Sequence, residues 1–214
     1  MPTGAGGGLV RVLDAGPVDA WVETVAARSI APSIDAARAH DAVVMAALDT
    51  GVTPLPARFN QIFETDDRCR AALADATPRI TEDLARVSGL VEMRIIVRLS
   101  APVPKAPAPG SDQSPGTAYM RRLLQKRELE QIMQTTSVAV RRRLTETVGA
   151  FVRGEAVTLD PLPAAVLTLS HLVAREEVES YRAALRDTAA GVDIERLVVS
   201  GPLAPYQFVS AADD

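Results

Sequence analysis

The longest unbroken pattern in the chain runs from Gly116 to Val152. It has no proline or glycine between Thr117 and Val148 and is rich in Leu, Arg, Gln, Glu, Met and Ala. Apolar side chains recur at Leu129, Met133, Val140, Leu144, Val148 and Phe151, with Thr136 keeping the interval. Steps of three and four put one stripe on one side of a helix. At ~1.5 Å per residue this helix is roughly 50 Å long, a spine longer than a small domain needs. The opposite period, two, appears in Leu90 to Leu99. There Val91, Met93, Ile95 and Val97 alternate with Glu92, Arg94, Ile96 and Arg98. The alternation predicts a strand with one apolar and one mostly charged face.

The remaining elements follow from shorter signals. Residues 1–7 are Gly-rich and are expected to be disordered. Leu9 to Leu13 reads as a short strand, Gly16-Pro17 as a turn, and Val18 to Val25 as a second strand or a helical turn. Ser33 is an N-cap for a helix running to about Asp49 and stopped by Gly51. The two prolines of Pro54 to Phe63 fit only an edge or the beginning of a strand. Thr65-Asp66-Asp67 caps a helix through Ala74, and Thr77-Pro78 opens another that ends at Ser88-Gly89. Ala101 to Pro115 contains five prolines and reads as a semi-extended linker. Beyond the spine, Glu155 to Leu159 and Ala164 to Val173 read as strands around a Pro161-Leu162-Pro163 turn. Arg175 to Thr188 is a helix with Val178, Tyr181 and Leu185 on one face, and Ile194 to Val199 is a last strand. In the closing GPLAPYQFV segment, Tyr206 and Phe208 are positioned to anchor the tail. The order suggests two α+β domains with largely antiparallel sheets.

Composition narrows the class. The chain has 214 residues, 47% of them hydrophobic but only 4% aromatic, with net charge −4 and a single cysteine. That is enough for one large or two small domains, and against a surface of stacked rings or bulk affinity for nucleic acid. One cysteine allows no intrachain disulfide and fits a reducing cytosol. MPTGAGGG has no basic n-region or apolar h-region, and the longest apolar run, Ala164 to Ala174, is too short to span a bilayer. A soluble intracellular protein is the expectation.

Candidate chemistry is sparse. Cys69 lies near a helix start, where a thiolate would be favoured, but no base is identifiably placed beside it, so it reads as a small buried apolar residue. His40 and His171 lack the ligand spacing of a zinc site, and His171 reads as a hydrogen-bonded core or interface residue. GAGGG follows no strand and opens no helix, so it is not a dinucleotide fingerprint. Asp66-Asp67 and Glu176-Glu177 sit at helix N-termini, where acids are favoured by the dipole. No catalytic, cofactor-binding or metal residues are assigned.

Charge layout says more. Residues 117–153 carry Arg121, Arg122, Lys126, Arg127, Arg141, Arg142, Arg143 and Arg153 against Glu128, Glu130 and Glu146, a net +5 that leaves −9 for the rest. One reading is a solvated helix face partly paired to the chain's own acids. The sharper one is a partner-binding surface for an acidic protein, formed by Arg121, Arg122, Arg127, Arg141, Arg142 and Arg143. Nucleic acid fits less well, because three consecutive arginines spread over about 300° of a helix.

Five segments then line up in order with one family. They are His40-Asp41-Ala42-Val43-Val44; Leu55-Pro56-Ala57-Arg58-Phe59-Asn60-Gln61-Ile62-Phe63; Val91-Glu92-Met93-Arg94-Ile95; Gly116-Thr117-Ala118-Tyr119-Met120-Arg121-Arg122; and Gly201-Pro202-Leu203-Ala204-Pro205-Tyr206-Gln207-Phe208. Over residues 9 to 209 the sequence resembles the gas vesicle accessory proteins of the GvpF/GvpL type. Arg58, Phe59, Glu92, Tyr119, Gly201, Pro202, Pro205, Tyr206 and Phe208 carry its structural motifs. Asn60 stands where the family has Gly, and Asn tolerates a left-handed backbone best among the other residues. Leu203 and Ala204 replace Trp and Pro. The family's extra Tyr-Gly-containing first strand is absent, so the first sheet is expected to lack a strand or expose an edge.

The resemblance implies a fold and a role. The fold is α+β in two domains. Residues 1–100 form an N-terminal ferredoxin-like domain whose sheet is expected to lack its first strand or expose an edge, and residues 101–115 a linker. Residues 116–200 form a modified ferredoxin-like α+β domain carrying the long helix, and residues 201–214 a tail folded back between the two. The role is a non-enzymatic one in gas vesicle assembly, without a cofactor, through binding the hydrophobic shell protein and other accessory proteins in the cytoplasm and at the vesicle. An enzyme on a ferredoxin-like scaffold and a nucleic-acid-binding helical protein are the competing classes. Arg58, in an otherwise apolar segment, is expected to be buried and paired with Glu92.

Overall fold

A computed structural model of the chain describes residues 1–26, 28–99, 115–160, 165–188 and 194–209. It is an α+β structure that divides into two compact units, Met1–Glu92 with Gly201–Asp214, and Met93–Ser200. The expected 101–115 linker, apart from Pro115, and the Pro161-Leu162-Pro163 turn lie outside the described residues.

In the first unit, β1 (Arg11–Asp14) and β2 (Asp19–Val22) pair antiparallel from Arg11↔Val22 to Asp14↔Asp19. Gly16 turns between them at φ +87°, its amide donating to Asp14 Oδ1 at 2.9 Å. The Gly-rich start is ordered, contrary to expectation. The amides of Gly6 and Gly8 both donate to the Glu23 carboxylate, at 2.7 and 2.9 Å, and Thr3 bridges Leu9. Small residues let the loop close on that carboxylate, since a Cβ at Gly4 would fall within 2.6 Å of the Glu23 carboxyl atoms.

Helix α1 (Ile34–Asp49) begins where Ser33 accepts from the Ala36 amide and ends before Gly51, at φ +95°. Helix α2 (Asp66–Val87) is capped by the Thr65 hydroxyl, which accepts from Arg68 N–H. It is one helix, not the two that Thr77-Pro78 suggested. Cys69, Leu73, Ala76, Ile80, Asp83 and Val87 form one buried or half-buried line, spaced four, three, four, three, four, that runs straight past Pro78. Pro78 itself is exposed. The Thr77 hydroxyl bonds back to the Leu73 carbonyl at 2.9 Å instead of capping a new start. A helix-interior proline costs about 3 kcal/mol, and keeping both halves of one stripe on the same surface outweighs it.

The second unit is built from β3 (Leu90–Leu99), α3 (Pro115–Val148), β4 (Val152–Asp160), β5 (Val166–Ala174), α4 (Val178–Thr188) and β6 (Ile194–Leu203). The strands form one sheet in the order β4-β5-β3-β6. The boundary between the units falls inside β3 and inside β6. β4 and β5 pair antiparallel, with a bulge between Val152 and Gly154. β6 continues four residues beyond the expected Val199, through Gly201-Pro202, which is a cis peptide, to Leu203. In β3 the alternation holds at Val91, Met93, Ile95, Val97 and Leu99, all buried. Glu92, expected on the charged outward face, is fully buried too.

The core of this unit takes Met133, Val140, Leu144 and Val148 from α3, Leu167, Leu169, Leu172 and Val173 from β5, and Val178, Tyr181 and Leu185 from α4. Burying each large apolar side chain contributes about 1.5–3 kcal/mol. That anchors α3 from Met133 onward. Between Tyr119 and Glu128 it has no buried side chain.

Candidate functional site

Four polar side chains from four elements form one chain of contacts in the second unit. Arg141 of α3 donates from Nε (3.1 Å) and Nη2 (2.5 Å) to Glu155 Oε2 on β4. Glu155 and His171 are registered partners across β4 and β5, with His171 Nε2 3.3 Å from Glu155 Oε1. His171 Nδ1 lies 2.9 Å from the hydroxyl of Tyr181 on α4. An ionised carboxylate only accepts, so Nε2 carries the imidazole proton and Nδ1 accepts from the tyrosine.

Burial pushes the Glu155 carboxyl up, but the hydrogen bonds and charges of Arg141 and His171 outweigh it and leave the group below its usual value. Burial lowers the His171 pKa against a smaller opposing pull from Glu155. Burial, then the Glu155 charge, raises that of the Tyr181 phenol. Tyr181 and His171 are buried, Glu155 is half-buried and Arg141 is exposed, so the array ties four elements together from the core out to the surface. The sequence pointed to His171 as hydrogen-bonded and Tyr181 as core. It did not identify Glu155, whose signal was an acid facing inward opposite His171.

In the first unit one group of motif residues packs with His40 and another holds the tail. His40 Nε2 meets the Ala57 carbonyl at 3.2 Å, and its ring lies edge-on to Phe59 with centroids 5.9 Å apart. The Tyr206 hydroxyl donates to Asp41 Oδ1 at 3.0 Å. The Gln207 amide donates to Glu92 Oε2 at 3.0 Å, and Arg86 bridges the Asp83 carboxylate and the Phe208 carbonyl. Tyr206–Phe208 is a single 3-10 turn, preceded by buried Ala204 and Pro205. Arg58 is exposed rather than buried, because Ala57 to Asn60 lies on a surface loop. Asn60 adopts φ +70°, and its amide both accepts from Ile30 N–H (2.7 Å) and donates to Ile30 C=O (3.1 Å).

The six candidate arginines of the spine divide. Arg141 is committed to Glu155, and Arg142 lies 3.7 Å from Glu146 one turn on. Arg121, Arg122, Arg127 and Arg143 are exposed, with no ion pair among the described residues. Tyr119 is exposed on the same helix. Cys69 is buried, and desolvation raises its pKa, the reverse of an activated thiol. Among the described residues no group of three or more His, Cys, Asp or Glu is placed to hold a metal ion, and no helix is long and apolar enough to cross a membrane.

Comparison with known proteins adds to this geometry. The family described as gas vesicle synthesis protein GvpL/GvpF matches residues 1–210. Gas vesicle protein L of Streptomyces sp. (strain CB03234) is 31% identical over 191 residues, covering 84% of this chain and 71% of that protein. The crystal structure of GvpF from Anabaena sp. PCC7120 superposes with a TM-score of 0.80 at 15% identity, covering 99% of this chain and 90% of that one. GvpF from Microcystis aeruginosa gives 0.74, also at 15% identity, covering 98% and 92%.

Proposed function

The chain belongs to the gas vesicle synthesis protein GvpL/GvpF family, and from that premise we propose that it is a non-enzymatic accessory protein of gas vesicle assembly. In this reading it binds the small apolar shell protein and other accessory proteins, in the cytoplasm and at the growing vesicle. The observation that carries the reading is the family match over residues 1–210.

The geometry supports it in two ways. The most conspicuous titratable array, Arg141-Glu155-His171-Tyr181, is spent on holding the second unit together, and the Cys69 thiol is buried. Strand edges remain for pairing with another chain: β1 and β2 form a two-stranded sheet, and β4 and β6 flank the larger one. A shell subunit that polymerises through apolar β surface needs such a transient cover. The second unit, in turn, runs β-α-β-β-α-β with strand order β4-β5-β3-β6, the order of a ferredoxin-like sheet, which supports that assignment for the half carrying the long helix.

A pull-down of purified shell protein by the full chain tests the reading, with and without Arg142→Glu and Arg143→Glu. Arg141 is kept because its guanidinium holds Glu155. Retention of the shell protein is expected. No retention at low salt contradicts shell binding, and retention unchanged by the two reversals removes that end of the spine from the contact.

A further inference from the structure

The apolar side chains of α3 do not follow one line. From Met133 to Val148 they face the core. Tyr119, Met120, Leu123 and Leu124, in contrast, are 62%, 57%, 38% and 61% exposed. At ~100° per residue these four span an arc of about 140°, centred roughly 90° round the helix from the core stripe. Tyr119 falls on the line of the core stripe and Leu123 beside it, whereas Met120 and Leu124 lie about 120° and 160° round from its centre and are not an extension of the core face. Val138, also exposed, falls on the same arc farther along. Arg127 lies within the arc, one turn beyond Leu123 and Leu124, while Arg121 and Lys126 border it on either side. A helical segment of roughly 15 Å thus presents an apolar seam edged mainly by cations, with Glu128 beside Arg121 and Glu130 lying 3.7 Å from Lys126 just beyond it.

Resting on the assembly reading above, we propose that residues 119–127 of α3 are a docking seam for an acidic amphipathic helix of a partner protein of the gas vesicle machinery. Charge complementarity selects the occupant. Apolar burial draws a second helix to Met120 and Leu124, and Arg121 and Arg127, which flank them, have no ion pair among the described residues to satisfy them. A second copy of this chain would set cations against cations on the same seam, which is repulsive at this spacing. Two to three turns with four apolar residues are too small a face to hold the chain on a lipid surface alone.

The test places a photo-crosslinking residue at Leu124, and in a separate protein at exposed Ala183 on α4 as a control, in full-length chain expressed with the gas vesicle genes. Adducts are mapped by peptide mass spectrometry. The expected result is an adduct from position 124 alone, at one segment of a gas vesicle protein that carries Asp or Glu beside an apolar helical stripe. An adduct to this same chain, to lipid or to nucleic acid overturns the proposal, and so does the absence of an adduct while vesicles still form. The paired variant Met120→Asp/Leu124→Asp is expected to weaken capture of that partner at least about tenfold, the scale of losing two buried apolar anchors. Its thermal melting should not change, because neither side chain is buried. If capture persists in the variant, the seam is not the contact. If shell-protein binding fails in the unmodified chain as well, the fault lies with the assembly reading rather than the seam.

Discussion

Glu155 and His171 stand opposite each other in the β4–β5 register, with Oε1 and Nε2 3.3 Å apart and Arg141 and Tyr181 closing the two ends. The pair ties the two strands to both helices, so its protonation is linked to the stability of the second unit.

Acid should therefore weaken the fold in two steps. His171 is held below its ordinary value of 6.5 by burial, so the unfolded chain takes up its proton first, and the stability from the neutral ring is lost as pH falls below about 6.5. Glu155 is held below its ordinary 4.5, so its contribution persists to lower pH and is lost as pH falls below about 4.5. Urea unfolding between pH 8 and 3 should show both steps. In His171→Gln the upper step should disappear while the lower remains.

Removing the tyrosine hydroxyl leaves His171 Nδ1 buried without its donor. Tyr181→Phe should cost about 1–3 kcal/mol in urea unfolding, the scale of an orphaned buried acceptor.

Asn60 unites two requirements, a left-handed backbone and a two-point clasp on Ile30. Asn60→Gly keeps the first and loses the second, whereas Asn60→Ala loses both. The expected order of stability is Asn, then Gly, then Ala, with Ala lower than Asn by about 2–3 kcal/mol. Equal melting of the Gly and Ala variants would show that the backbone conformation carries no cost there.

Pro78 interrupts a helix that packing keeps continuous. Pro78→Ala should restore the missing amide donor without disturbing a buried contact, raising stability by about 1–3 kcal/mol in urea unfolding. A loss of stability instead would mean that α2 bends at this residue to fit its surface.

What the sequence disclosed depended on how local each signal was. Ser33, the Leu90–Leu99 alternation and the Met133–Val148 stripe act within a turn or a strand, and each matches the structure closely. Pro78 misled because a local helix breaker lost to a stripe shared by both halves. The Gly-rich start misled because its partner, Glu23, lies fifteen and more residues away. Glu92 and Glu155 were illegible for the same reason. Their burial is repaid by Gln207 in one case, and by Arg141 and His171 in the other, and no pattern around either acid announces those partners. The six arginines of the spine looked alike in sequence. Only the position of Glu155 separates Arg141 from Arg143.

The central proposal is that this chain is needed to build gas vesicles and acts without chemistry of its own. Its most direct measurement is to delete the gene in its host, restore it, and count buoyant vesicles by electron microscopy. The account predicts that vesicles vanish or shrink to remnants on deletion, and return with the wild-type chain and equally with Cys69→Ala, since the buried thiol has no part in the work. A deletion strain that floats with normal vesicles would contradict it.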